Sequence, residues 1–173
     1  TYLIYFKKKA MQTDFEDFFH RSEHHYLEKS EILLFRQHIG ILRQRLATYE
    51  ALRNKEIEIF QAVADQLEQV CPAESSKQLE KTLKHWILVM RYCAFAMLLN
   101  NPEFLQHRLL EWLTDIVKTH QIQTLEQTLY EILSDQLTQK LPPRQNELIK
   151  PFIQQAQQTL LTETIASEVE ILT

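Results

Sequence analysis

Residues 79 to 104, LEKTLKHWILVMRYCAFAMLLNNPEF, carry the clearest fold signal in the sequence. A loop from Pro72 to Ser76 precedes them, and Ser75 or Ser76 can cap a helix that continues to Leu99. The four residues Asn100-Asn101-Pro102-Glu103 then supply a stop, an N-cap, a proline at the first helical position and an acid in the first turn. The pattern predicts a long helix, a sharp boundary and a second helix directly after it.

The sequence before this loop also has a helical pattern. Between Phe15 and Val70 there is no proline and one glycine, Gly40, and apolar residues recur at spacings of three and four. We expect more than one helix here, with a new start near Ile32 after Ser30 and a possible break within residues 49–54. Thr13 or Asp14 can cap an earlier helix that carries Phe15, Phe18 and Phe19. The apolar positions expected to face the core are Ile39, Leu42, Leu46, Tyr49, Ile59, Val63 and Leu67.

The sequence after residue 104 contains three predicted helical segments, the first of which continues the helix that begins at Pro102. A capping box of Thr124 and Gln127 predicts the start of the second of them, and Pro142-Pro143 its end. The last helix is expected from Asn146 to Thr162, with Pro151 early enough to be tolerated. The apolar positions expected to be buried before residue 142 are Leu105, Leu109, Trp112, Ile116, Leu125, Leu129, Ile132 and Leu137.

Together these segments predict an all-α, globin-like or irregular helical bundle with an N-terminal helical extension. With 173 residues and 45% hydrophobic content, the chain can form one compact core. We expect a single domain over residues 13–162, an N-terminal tail over 1–12 and a C-terminal tail over 163–173. Met11 is a possible initiator.

Composition excludes several classes of function. A single glycine cannot supply the motifs GxGxxG, GxxxxGKS or GxSxG, and the sequence shows no catalytic arrangement of nucleophile and base, so we expect no enzyme. The net charge of −4 offers no basic surface for nucleic acid. Residues 2–6 are apolar but too few to span a bilayer. Two cysteines and no secretory signal favour a reducing cytoplasm.

The central helix and its neighbours share an order and spacing with a known family. In that order and spacing the chain resembles the globin-like phycobiliproteins over roughly residues 13 to 160, which implies a light-harvesting role in the phycobilisome. The positions that carry the resemblance are Tyr26-Leu27, Glu31-Ile32, Arg45-Leu46, Leu52, residues 59–67, residues 88–96, Asn100-Asn101, Glu147-Leu148, Phe152 and Ile153.

The resemblance also implies that the chromophore site has been lost. In that family a cysteine nine residues before the arginine that matches Arg91 holds a bilin through a thioether, and here that position is Thr82. The arginine and aspartate that contact the bilin are matched by Lys84 and His85. A hydroxyl cannot replace the thiolate as nucleophile, so we expect no covalent cofactor and a vestigial bilin pocket at Lys84 and His85. Cys71 is the alternative anchor, although an ordinary reduced cysteine is the favoured interpretation.

Three further ligand sites remain as alternatives. Non-covalent tetrapyrrole binding beside Lys84 and His85 is the second hypothesis for function. Haem would need a proximal histidine, for which His85 and His107 are the candidates. Glu16, His20 and His24 have the spacing of one helix face that could hold a metal, but an exposed polar face is the favoured interpretation, and we expect no metal site. The remaining cysteine, Cys93, is expected to be buried on the central helix.

The N-terminal helices are the predicted interface. In phycobiliproteins they pack against a partner subunit, and an acid there meets an arginine of the partner's central helix; Asp14 or Asp17 and Arg91 match these positions. Phe15, Phe18 and Phe19 form an aromatic face that needs its own core or another chain. We expect protein–protein interaction, as a homodimer or with phycobilisome subunits, in assembly or regulation of light harvesting at the thylakoid surface.

Overall fold

The computed structural model describes residue 18, residues 20–120 and residues 123–170, without the side chains of residues 115, 117–120, 123 and 162–170. Across these residues the fold is all-α, as the sequence predicted, and no strand occurs. The helices are α1 (Lys29–Val70), α2 (Ser76–Leu99), α3 (Pro102–Leu105), a π-helical turn (Gln106–Leu110), α4 (Glu111–His120), α5 (Gln123–Lys140) and α6 (Pro143–Glu170).

Helix α1 is one continuous helix of 42 residues, so the break predicted within residues 49–54 is wrong. That segment contains neither proline nor glycine, and Leu52 anchors it in the core, so nothing interrupts the backbone hydrogen bonds. The predicted start after Ser30 is also wrong. The N-cap is Glu28, and the Glu31 side chain accepts a hydrogen bond from the Glu28 amide to complete a capping box.

Helix α2 has the limits that the sequence predicted. Ser75 caps it, and its hydroxyl accepts from the amide of Gln78. At the other end Asn100 adopts a left-handed conformation with φ of 51°, which asparagine tolerates better than most residues. The side chain of Asn101 then caps α3, and Pro102 is in its first turn. The predicted boundary is confirmed.

Helix α2 is also the one helix of the described residues that is long and apolar enough to cross a membrane by length and composition. It packs against α1, α5 and α6. Trp86, Val89, Cys93 and Ala96 are fully buried along it. Burial in the protein core accounts for the apolar composition of this helix.

The π-helical turn corrects the predicted burial after residue 105. Leu105 and Leu109 are buried as expected, but Trp112 is 44% exposed while Leu113 is buried. A π turn carries i to i+5 hydrogen bonds and adds a residue to the turn, so the face that continues toward the core moves on by one position.

Helices α5 and α6 differ from their predicted limits. Because α5 already begins at Gln123, Thr124 lies inside the helix and is not its N-cap. Lys140 ends α5 before the two prolines, as predicted. Helix α6 begins at Pro143, where proline needs no amide donor, and its backbone stays helical to Glu170, beyond the expected end at Thr162.

Candidate functional site

Of the three positions of the expected vestigial pocket, Thr82 and His85 lie on the inward side of α2 and Lys84 lies on its outward side. Thr82 is fully buried, and its Oγ1 has no hydrogen-bond partner among the described residues. Lys84 is exposed, and its Nζ lies 2.5 Å from Oε1 of Glu80 one turn earlier. His85 is turned inward, with 14% of its side chain exposed. Successive helical residues point about 100° apart, which is why Lys84 and His85 do not face one site.

The inward side of α2 meets a buried carboxylate that the sequence did not reveal. Glu126 in the first turn of α5 is completely buried. Its Oε2 accepts a hydrogen bond of 2.5 Å from the indole Nε1 of Trp86, and its Oε1 lies 3.0 Å from Nδ1 of His85. Trp86 is itself fully buried, with its ring 5.8 Å from that of Tyr130. This cluster joins α2 to α5 and satisfies the Trp86 donor and both Glu126 oxygens.

Both cysteines lie where a reduced thiol is expected. Cys93 is fully buried, as predicted, and burial raises the pKa of its thiol. Cys71 is partly buried at the end of α1, and its amide donates to the carbonyl of Leu67. Neither cysteine forms a disulfide.

Arg91 is bound within its own chain. Its Nε and Nη2 lie 2.8 Å and 2.6 Å from the two carboxylate oxygens of Glu56, so the pair is bidentate and joins α2 to α1. The hydrogen bonds and the charge of Arg91 lower the pKa of Glu56. The Arg91 side chain is still 61% exposed, so it can be approached from outside. The pairing of Arg91 with an acid of a partner stays a prediction, and within its own chain Arg91 binds Glu56.

Of the predicted N-terminal interface, only Phe18 is among the described side chains. Its ring meets those of Phe35 and His38 on α1 edge to face, with centroids 5.4 Å and 5.9 Å apart. Asp14, Phe15, Asp17 and Phe19 lie outside the described residues.

A row of exposed apolar residues follows the first half of α1. Between Glu31 and Thr48 no described residue of this helix is buried. Ile39, Leu42 and Leu46, which the sequence placed in the core, are 42%, 40% and 47% exposed. With Ile32 and Phe35 they repeat at spacings of three and four, as in a coiled-coil seam. We call Ile32, Ile39, Leu42 and Leu46 the α1 apolar stripe; Phe35, between the first two, is half-buried and contacts Phe18.

The profile of the phycobilisome protein family matches residues 21–160. The chain belongs to the phycobilisome protein family. No individual curated protein matches it. The family is one of light-harvesting proteins that normally carry covalent bilins and assemble into oligomers, and its members are generally structural and pigment proteins and not enzymes.

The residues at position 82 and around it do not fit the covalent bilin of the phycobilisome family. Thr82 has no thiol and faces the closed interior of the protein. Trp86, one turn along the same side of α2, is fully buried, and its indole donates to the buried carboxylate of Glu126. Two grooves of the described surface, of about 330 Å³ and 140 Å³, are lined by residues other than Lys84 and His85.

The histidines named as haem candidates contact different carboxylates. His107 lies on the surface with its Nδ1 2.7 Å from Oε1 of Glu111, one turn along the helix. His85 contacts Glu126 instead. The structure therefore gives these two histidines separate environments.

The predicted metal-spaced histidines do come together. His20, Glu23 and His24 each offer a ligand atom, and these atoms lie within 4.8 Å of one another on the surface. Glu16, which the sequence spacing had grouped with them, lies outside the described residues. Glu23 was overlooked because it falls in the turn after the helical backbone at residues 20–22.

Proposed function

We propose that this phycobilisome protein is non-pigmented and acts by binding another phycobiliprotein-type chain, in the assembly or regulation of light-harvesting complexes. The observation that carries the proposal is the α1 apolar stripe. Its four residues are 40% to 47% exposed and lie on one side of α1. The partner is a second copy of this chain or another phycobilisome subunit, on the cytoplasmic side of the thylakoid.

The stripe is favourable for docking because of its length and regularity. Residues 32–47 span about 24 Å at the rise of an α-helix, and the apolar residues of the stripe lie on one side of that length. Exposed apolar residues scattered singly need no explanation, but a contiguous row on one helix marks an interaction site. A partner helix with a matching apolar seam would bury the row by knobs-into-holes packing.

A paired substitution tests the interface. We expect Ile39→Asp with Leu42→Asp to abolish binding to the partner, because two carboxylates would have to be desolvated at the centre of the contact. Ile57→Asp is the matched control, since Ile57 lies on the same helix outside the stripe and is 83% exposed. Analytical ultracentrifugation of the protein, alone and mixed with dissociated phycobilisome subunits, measures the effect. If the unmodified protein forms no complex either alone or in the mixture, or if the double variant still forms the complex, the interface proposal is wrong.

The absence of pigment has its own test. Protein purified from cells that synthesise bilins is expected to be colourless, since position 82 offers no thiol for attachment. A visible absorption band that survives denaturation would show a covalent bilin and contradict this part of the proposal. A Cys71→Ser variant in the same cells would then identify the anchor.

Non-covalent tetrapyrrole binding is the second candidate, and Glu126 is the observation that favours it. A buried carboxylate beside His85 offers a partner for pyrrole nitrogens in place of the missing aspartate. This candidate predicts that added biliverdin develops a shifted, saturable absorption band, and that Glu126→Gln removes it. If the absorption of biliverdin does not change when the protein is added, this second candidate is wrong and the interaction proposal is the one that remains.

A further inference from the structure

We propose that His20, Glu23 and His24 form a binding site for a divalent transition-metal ion of the zinc type. The three side chains are exposed, and their ligand atoms lie within 4.8 Å of one another. The proposal concerns the isolated chain and does not depend on the proposed partner interface.

The geometry needs only side-chain rotation to close around an ion. Zinc binds imidazole nitrogen and carboxylate oxygen at about 2.0–2.2 Å, so two ligand atoms on one ion lie no more than about 4.4 Å apart. Nδ1 of His20 and Oε2 of Glu23 already lie 3.6 Å apart. The rings of His20 and His24 have their centroids 5.4 Å apart. Because these side chains are exposed, they can make the remaining adjustment without disturbing a packed core.

The donor set selects the class of metal. Two imidazoles with one carboxylate suit zinc, nickel or copper, whereas magnesium and calcium prefer oxygen ligands. Three protein ligands on an open surface leave a fourth position for water or for a group from another molecule. Glu23 supplies a negative charge that favours a cation.

Two charged or titratable groups next to the cluster, among the described residues, bind elsewhere. The nearest cation in sequence, Arg21, binds Glu31 through Nη1 at 2.9 Å and so is committed to the start of α1. His25 has its Nδ1 2.9 Å from the carbonyl of Tyr26 and is not one of the three ligands. The Arg21–Glu31 pair also holds the cluster beside the first turn of α1, so a bound ion would stiffen the connection that leads into that helix.

The order His20-x-x-Glu23-His24 matches a motif of one class of zinc peptidases. In this chain the helical backbone ends at Ser22, so His20 is helical while Glu23 and His24 lie in the turn after it, and all three residues are exposed. The structure therefore supports metal binding, and we do not extend the inference to catalysis.

Zinc titration of tag-free protein tests the site. Calorimetry is expected to show one saturable equivalent of zinc for the unmodified chain. Removal of an outer-shell partner already lowers metal affinity by about 10- to 100-fold, so loss of a ligand is expected to lower it by at least about tenfold. We expect His20→Ala and His24→Ala each to have this effect, with helicity by circular dichroism unchanged because both side chains are on the surface.

His107→Ala is the matched control. His107 is also exposed and faces a glutamate one turn away, but among the described side chains it belongs to a pair and not to a group of three. Its loss is expected to leave zinc affinity unchanged, and excess magnesium is expected not to displace the zinc. The proposal is overturned if the unmodified chain shows no saturable binding, if the His20 and His24 variants bind as well as it does, or if Cys71→Ser abolishes binding instead.

Discussion

The two halves of α1 have the same helical pattern and different surroundings. From residue 48 onward the helix places Thr48, Leu52, Ile59, Val63 and Leu67 in the core, against α2 and α5. From residue 32 to residue 47 it buries no described side chain, although its apolar residues recur with the same spacing. An amphipathic pattern shows that a face is suited to contact with something apolar, and the tertiary structure decides whether that contact lies in the same molecule.

The largest expected difference in unfolding free energy between the two halves comes from truncating one leucine in each half. Leu67→Ala is expected to lower the free energy of unfolding by about 2–5 kcal/mol, because Leu67 is 1% exposed and its loss leaves a cavity. Leu42→Ala is expected to change the unfolding free energy of the monomer by less than about 0.5 kcal/mol. Urea denaturation of both variants at low protein concentration measures the difference. Equal losses would mean that the stripe is covered within the monomer.

A second way to test the core is through its buried carboxylate. Glu126→Ala is expected to cost about 1–3 kcal/mol of unfolding free energy, because the indole Nε1 of Trp86 would be left buried without an acceptor. Glu131→Ala on the same helix is the control, since Glu131 is exposed and accepts a hydrogen bond from Gln127 one turn earlier. Thermal unfolding of the two variants compares them. If Glu126→Ala leaves the unfolding free energy unchanged, burying the carboxyl group costs as much as its contacts contribute.

The ion pair between the second half of α1 and α2 gives a smaller, pH-dependent effect. Arg91 lowers the pKa of Glu56 below its ordinary value of 4.5. A carboxylate with a lowered pKa in the folded state stabilises the fold above the pKa of the unfolded state, and this contribution is lost as the pH falls through the folded-state pKa.

Arg91→Met is therefore expected to lower stability near pH 7 by at most about 1 kcal/mol, since the Arg91 side chain is largely exposed. The variant and the unmodified protein should converge in stability as the pH falls through the folded-state pKa of Glu56, below which Glu56 is protonated in both. Lys84→Met, which breaks the exposed pair with Glu80, is the control and should show a weaker dependence on pH. A constant difference between Arg91→Met and the unmodified protein at all pH values would mean that packing, and not charge, explains the effect.

The fold could be predicted where the signals are local. Asn101 and Pro102 define a boundary by their own chemistry, and the structure has the boundary there. The contacts of the candidate sites lie far apart in the sequence: Glu126 is 40 residues from Trp86, and Glu56 is 35 residues from Arg91. Acids are common in this chain, so nothing in the sequence marks these two as partners. The exposure of Leu42 and Leu46 could not be predicted either, because the spacing of apolar residues does not distinguish a core face from an interface.

A small gain in stability is expected at Gly40, in the exposed half of α1. A Cβ added there would meet nothing within 4 Å, so the chain has room for alanine. Glycine inside a helix costs about 0.5–1 kcal/mol relative to alanine, chiefly through the greater freedom of the unfolded chain. Gly40→Ala is expected to raise the unfolding free energy of the monomer by about that amount in urea denaturation, and a loss would mean that the helix is distorted at this position. The same variant also tests the exposed half of α1 as an interface, because Gly40 adjoins Ile39 of the α1 apolar stripe. If Gly40→Ala stabilises the monomer and also weakens the partner complex, the partner occupies the space beside the backbone at Gly40 that a Cβ would fill.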